Sequence, residues 1–174
     1  MVRIAHTADL DEAALAAARA LLDEVFDGEL TDSDWEHALG GLHALAYEAD
    51  ALVGHAAVVQ RRLIHNGRAL RTGYVEGVGV SRQHRRRGHG SALMAALERV
   101  IRGAYDLGAL GATDEAIGLY ERHGWRVWDG PLSALTPNGL IPTPDERGAV
   151  YVLASEDVDR TLELICDWRD GDVW

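Results

Sequence analysis

The sequence predicts a mixed α/β fold, and three observations carry that prediction. β-branched runs and segments with helical apolar spacing follow one another along all 174 residues. Two long strand-like runs, residues 52–64 and Arg68–Val80, are separated by Asn66-Gly67, a strong hairpin signal. Residues 74–93 pass from a β-branched run through a basic, Gly-containing turn into a helical pattern.

In chain order, residues 2–5 read as a short strand, and Thr7 to Asp11 carry helix-start signals. Residues 13–26 form a helix with Leu15, Ala18, Leu22 and Val25 on one face. Asp32 or Ser33 caps a second helix over 34–39. Leu42–Glu48, 52–64 and Arg68–Val80 are strands. Residues 91–105 form the third helix, with Leu93, Met94, Leu97, Val100 and Ile101 at helical spacing. Residues 107–112 form a buried strand, Thr113 or Asp114 opens a fourth helix, and His123-Gly124 closes it. Residues 125–128 resume a strand. Residues 135–148, with three of the four prolines, form a long loop. Residues 149–153 are a strand and 157–168 a short helix. No repeat, low-complexity tract or linker divides the chain, so 1–174 is expected to be a single domain.

Residues 74–93 carry the clearest chemistry. Arg85-x-x-Gly88-x-Gly90 is neither the dinucleotide fingerprint nor a nucleoside-triphosphate loop, since no Gly-Lys-Ser/Thr follows. Gly88 and Gly90 let backbone approach a ligand closely. Four arginines lie between Arg82 and Arg87, with N–H groups and a helix dipole behind them, a set suited to phosphate. A solvated basic turn before an ordinary helix is the bland alternative.

Composition sets limits. Hydrophobic content of 47% and 26% charged residues fit a folded domain with a sizeable core. Residues 1–10 lack the apolar segment of a signal peptide, no stretch is apolar enough to span a membrane, and Cys166 is alone; together these predict a cytoplasmic protein. The formal net charge of −11 argues against nucleic acid and favours a cationic partner. The eight histidines show no metal-ligand spacing, so no metal is expected. Asp27, Glu29, Asp32, Asp34 and Glu36 crowd one window beside Trp35. They serve either helix starts or one wall of a cation site.

Arg-x-x-Gly-x-Gly after a strand containing Glu76 resembles the acetyl-CoA motif of the GCN5-related N-acetyltransferase superfamily. Residues 116–125, from Ala116 through Tyr120 to Gly124-Trp125, resemble the superfamily's later helix and the Gly-aromatic pair that follows. The likeness implies a mixed, largely antiparallel central sheet flanked by helices, with acetyl-CoA as co-substrate. Residues 34–44, 55–64, 73–78, 102–110 and 166–174 look, more narrowly, like the aminoglycoside 2′-N-acetyltransferases of actinobacteria. The basic turn departs from the Arg-Gly-Gln of that group toward the general superfamily pattern.

That resemblance implies roles. Val78, Gly79 and Val80 would meet the pantetheine by backbone. Arg85, Arg86, Arg87, Gly88, His89, Gly90 and Ser91 would hold the diphosphate. Glu29, Asp34, Glu76, Gly77, Gly111, Asp145, Glu146, Asp172 and Trp174, the last through its α-carboxylate, would line the site for a cationic amino sugar. Glu76 is the expected acceptor of the amine proton, directly or through water, or else a rim carboxylate. Tyr120 is the expected partner of the departing thiolate, or else a core aromatic. Tyr74, Glu76, Val78 and Val80 share one strand parity unless a bulge shifts it. The function implied is acetyl transfer to the 2′-amine of aminoglycosides, by a protein expected to be a homodimer. Acetylation of another amino-sugar or polyamine-like metabolite, and a non-catalytic module that binds CoA or aminoglycoside, are the rivals.

Overall fold

The computed structural model describes residues 1–154 and 157–174. The chain forms two compact units, Met1–Val59 with Val75–Val100, and Gln60–Tyr74 with Ile101–Trp174.

In the first unit, β1 (Val2–His6) pairs antiparallel with β2 (Leu42–Glu48), and β2 with the first half of β3 (Ala51–His65). The β2–β3 register slips between Ala46 and Tyr47. The extra residue, Val53, sends its carbonyl to the Ser81 N–H 2.9 Å away, at the mouth of the basic turn. Helix α1 (Glu12–Val25) starts on Asp11, whose carboxylate accepts the Ala14 N–H at 2.8 Å. Its stripe of Ala18, Leu21 and Leu22 is buried. Leu22 packs so closely on β4 (Arg68–Val80) that a Cβ on Gly79 would stand 2.9 Å from it. Helix α2 (Asp32–His37) is capped by Thr31 instead of Asp32 or Ser33. Thr31 Oγ1 accepts the Asp34 N–H and Asp34 Oδ2 accepts the Thr31 N–H, a reciprocal capping box. Helix α3 (His89–Ala104) begins two residues earlier than the apolar spacing indicates.

In the second unit the strand order is β6-β9-β5-β4-β3-β10-β7-β8. It comprises β5 (Leu107–Gly111), β6 (Arg126–Val127), β7 (Leu132–Thr136), β8 (Gly139–Pro142), β9 (Val150–Leu153), β10 (Leu164–Cys166) and the remaining halves of β3 and β4. Pairs β4–β5 and β10–β7 are parallel; β5–β9, β6–β9, β3–β10 and β7–β8 are antiparallel. The sheet is therefore mixed and mostly antiparallel, as expected. Asn66 and Gly67 take φ of 47° and 73°, the doubly left-handed turn that Asn-Gly favours. Trp125 and Trp128 are fully buried, and Trp128 Nε1–H donates to the Leu162 carbonyl at 3.0 Å.

Three expectations need correction. Residues 157–168 do not form a helix; Leu164–Cys166 is instead a strand between β3 and β7, burying Leu164 and Cys166. The 135–148 stretch is not a structureless loop, because Leu132–Thr136 and Gly139–Pro142 form a hairpin and Pro144–Glu146 a 3-10 turn. Pro142 is tolerated because β8 is an edge strand. Helix α4 spans only Ile117–Arg122, since residues 113–116 close as a turn through the Ala116 N–H to Thr113 carbonyl bond.

Candidate active site

The basic turn is built from backbone geometry first. After β4, Ser81 Oγ meets His84 Nδ1 at 3.0 Å, Arg82–His84 make a 3-10 turn and Arg85 is extended. Arg86 and Gly88 then take left-handed φ of 62° and 87°. Nothing stands within 4 Å of where a Gly88 side chain would begin. The first intrahelical bond of α3 runs from the Ala92 N–H to the Gly88 carbonyl, so the N–H groups of His89, Gly90 and Ser91 have no partner inside the helix. An open concavity of such donors, flanked by exposed Arg85 and Arg86, fits a diphosphate.

A carboxylate braces the same turn. Glu48, at the end of β2, accepts from His89 Nε2 at 2.7 Å and Arg87 Nη1 at 3.2 Å, with His84 Nε2 at 3.7 Å. The His89 hydrogen bond, aided by Arg87 and His84, holds its carboxyl below the usual range against the desolvation that opposes it. His84, His89 and Arg87 are thus tied to the protein, and Arg85 and Arg86 carry the charge left for a ligand. Arg82 is tied elsewhere, to Asp27.

On β4, Glu76 and Val78 are half-buried and Gly77 has φ of 56°. That left-handed residue breaks the two-residue alternation between Glu76 and Val78. The Gly77 carbonyl accepts from His55 Nδ1 at 2.8 Å, and His55 Nε2 meets His43 Nδ1 at 2.9 Å. Neither histidine was singled out from the sequence. The available signal was a histidine amid small apolar residues on each of two strands.

The acidic window divides on inspection. Asp27 ends α1 at φ 57° and pairs with Arg82, and Asp32 pairs with Arg19 at 2.8 Å. Asp34 gives one oxygen to its capping box, while Glu29 is exposed. Helix termini therefore use much of this charge, and Glu29 and Asp34 remain the candidates for a cation.

In the second unit, Tyr120 is set by the end of α4. Gly124 takes φ of 87°, its N–H donates to the Glu121 carbonyl, and the Trp125 N–H donates to the Tyr120 carbonyl at 3.1 Å. This Schellman motif brings the Tyr120 and Trp125 rings to 6.3 Å, and burial pushes the Tyr120 hydroxyl up to about 12.

The tail of the second unit is clamped by arginines that sequence reasoning missed. Buried Arg61 donates from Nε to Asp167 Oδ1 at 2.8 Å and from Nη2 to the Val173 carbonyl at 2.8 Å. Arg169 donates to the Asp172 carbonyl at 2.7 Å and the Trp174 carbonyl at 2.8 Å. Both guanidinium groups lie over the Tyr74 ring, at 4.6 and 5.3 Å. Trp174 is buried, with Nε1–H donating to Thr143 Oγ1 at 2.8 Å and its N–H to Asp172 Oδ1 at 3.1 Å. A Cβ on Gly111 would stand 3.7 Å from the Trp174 carbonyl carbon. Desolvation, then the charges of Asp172 and Asp145, raise the Glu146 carboxyl. Gly111, Asp145, Glu146, Asp172 and Trp174, scattered in sequence, are thereby gathered, and the carboxylates among them form a field suited to ammonium groups.

Among the described residues no His, Cys, Asp and Glu side chains group as metal ligands, and no helix is long and apolar enough to cross a membrane. Burial pushes the Cys166 thiol up to about 11, far from the range of a nucleophile.

Comparison with known proteins gives the class of protein to which these two units belong. The chain belongs to the GNAT acetyltransferase family, whose domain model matches residues 3–128. It is 50% identical over 177 residues to an aminoglycoside 2′-N-acetyltransferase of Mycolicibacterium fortuitum, an alignment covering 99% of this chain and 91% of that one. Among solved structures, Eis1 from Mycobacterium abscessus superposes with a TM-score of 0.63 at 21% identity, over 76% of this chain and 33% of that one. Escherichia coli ElaA gives 0.61 at 20% identity, over 87% and 97%. These two likenesses bear on the fold alone.

Proposed function

We propose that the protein acetylates the 2′-amine of aminoglycosides with acetyl-CoA, by direct attack of the amine in a ternary complex. The observation that carries this reading is the 50% identity to an aminoglycoside 2′-N-acetyltransferase along 99% of the chain.

Acetyl-CoA supplies the thioester carbonyl that the amine nitrogen attacks, so that a C–N bond forms, the C–S bond breaks and CoA leaves as its thiolate, which takes its proton from solvent. The concavity of Arg86 to Ser91, with Arg85, holds the diphosphate, and Val78, Gly79 and Val80 offer backbone to the pantetheine. Glu29, Asp34, Asp145, Glu146 and Asp172, with Gly77, Gly111 and Trp174, receive the ammonium-rich sugar. Glu76 takes the amine proton, directly or through water. Tyr120 donates a hydrogen bond to the departing sulfur. Holding both partners supplies most of the acceleration, and acid–base help adds typically about 10²–10⁴-fold. A cytoplasmic homodimer that confers antibiotic resistance completes the proposal.

Turnover with matched aminoglycosides bearing a 2′-amine or a 2′-hydroxyl tests it, with the product position mapped by NMR. Acetylation at the 2′-nitrogen is expected. Turnover only with other amino sugars or polyamines would move the substrate to that class. Binding of both ligands without thiol release would identify a non-catalytic module.

A further inference from the structure

His43 on β2 and His55 on β3 are wholly buried, and the reaction scheme above gives them no task. They belong to one unbroken chain of hydrogen bonds. Thr7 Oγ1 lies 2.8 Å from His43 Nε2, His43 Nδ1 lies 2.9 Å from His55 Nε2, and His55 Nδ1 lies 2.8 Å from the Gly77 carbonyl oxygen.

The direction of the chain follows from its ends. A carbonyl oxygen only accepts, so His55 Nδ1 carries the hydrogen. His55 Nε2 is then an acceptor, and His43 Nδ1 donates to it. His43 Nε2 in turn accepts the Thr7 hydroxyl hydrogen, while Thr7 Oγ1 accepts the Gly40 N–H at 2.9 Å. Burial lowers both rings to about 4, so near pH 7 they are neutral, and neutral rings in this chain are both Nδ1–H tautomers, with the Thr7 hydroxyl turned to His43 in preference to the Gly41 carbonyl 3.3 Å away. Trp35 lies against the pair, with ring centroids 6.3 Å from His43 and 6.0 Å from His55.

This chain cannot carry a proton to the reaction, since it ends on an amide carbonyl, which takes up none near neutral pH. It ends, however, at the one left-handed residue of β4, next to Glu76. There the backbone has left regular strand geometry, and the His55 bond fixes the Gly77 peptide. Packing adds to the constraint: a Cβ on Gly77 would stand 3.0 Å from Leu22 Cδ1 and 3.4 Å from His55 Nδ1.

We propose that His55, its tautomer locked by His43 and Thr7, is a positioning residue that holds the Gly77 peptide and thereby the direction of the Glu76 carboxylate. The proposal rests on Glu76 as proton acceptor. A misdirected base costs rate steeply, so a kinetic readout reaches it.

The test uses the full chain. In ¹⁵N NMR of the imidazoles at pH 7, both rings are expected as neutral Nδ1–H tautomers; an Nε2–H tautomer or a protonated ring at either site overturns the proposal. His55→Leu is expected to lower kcat about tenfold to a hundredfold with KM for acetyl-CoA unchanged. His55→Asn, which keeps an amide donor near the Nδ1 position, recovers most of that loss. In a Glu76→Gln background, His55→Leu is expected to cost little more. An equal cost in both backgrounds, or a lowered Tm at unchanged kcat, overturns the positioning role. A Glu76→Gln enzyme with an unaltered pH–rate profile removes the base assignment itself, a result visible before any histidine is changed. Should His55→Leu fail to fold, Thr7→Val releases the lock without emptying the core. It frees His43 Nε2, so the His43 ¹⁵N signals are expected to shift and kcat to fall, and shifted His43 signals at full kcat count against the proposal.

Discussion

In the proposed reaction Glu76 and Tyr120 carry the chemistry, and their surroundings suit them to unequal work. Glu76 is half-buried beside a left-handed glycine. Replacing it by glutamine keeps the shape and removes the proposed proton acceptor, so the acidic limb of the pH–rate profile, where a base becomes protonated, is expected to flatten and kcat to fall by about 10²-fold or more. Tyr120 is a weaker acid than the thiol it would serve. With its hydroxyl pushed up to about 12, full proton transfer to a thiolate is uphill, leaving a hydrogen bond as its contribution. Tyr120→Phe is accordingly expected to lower kcat about tenfold at every pH, the worth of roughly one hydrogen bond, without shifting either limb. Undiminished turnover would remove Tyr120 from the site.

At the scale of elements, the basic turn divides its polar side chains into two sets. Glu48 holds Arg87 and His89, whereas Arg86 is exposed on the left-handed backbone that opens the concavity. Arg86→Ala is expected to raise KM for acetyl-CoA about tenfold to a hundredfold, the loss of one charge-assisted hydrogen bond, with kcat nearly unchanged and a weaker salt dependence of KM. The Thr31 capping box orders α2 and the Asp34 it carries. Thr31→Ala should cost about 1 kcal/mol of stability in urea unfolding. The same change should weaken aminoglycoside binding more than acetyl-CoA binding, which separate titrations would distinguish. The turn was legible in the sequence because its spacing is local. The Glu48 brace was not, since Glu48 lies far from His89 along the chain and nothing in the intervening residues links them.

Across the whole molecule, the buried histidine pair ties stability to pH. Burial above all lowers both His43 and His55 from 6.5 to about 4 in the folded state, with the charge of His6 adding at His43 and that of His43 at His55. The Gly77 hydrogen bond opposes the shift at His55. Between those two values the unfolded chain binds more protons than the folded one, so stability is full above 6.5 and declines as pH falls toward 4. Urea midpoints at pH 7 and pH 4.5 are expected to differ in that sense, and a His43→Gln, His55→Asn double variant should flatten the difference.

How much the sequence determined by itself follows from the range of the forces involved. Backbone preference and side-chain spacing act over a few residues, so the Asn66-Gly67 hairpin, the strand-turn-helix of residues 74–93 and the family were all set there. Residues 157–168 show the limit: they read as a helix, yet β3 and β7 offered two strand edges, and burying Leu164 and Cys166 between them outweighed local propensity. The His43–His55 chain to Gly77, the arginine clamp on the tail and the gathering of Gly111, Glu146 and Asp172 about Trp174 likewise join residues distant in sequence. Only tertiary structure decides such contacts, because a buried polar group is stable only where the fold delivers its partner.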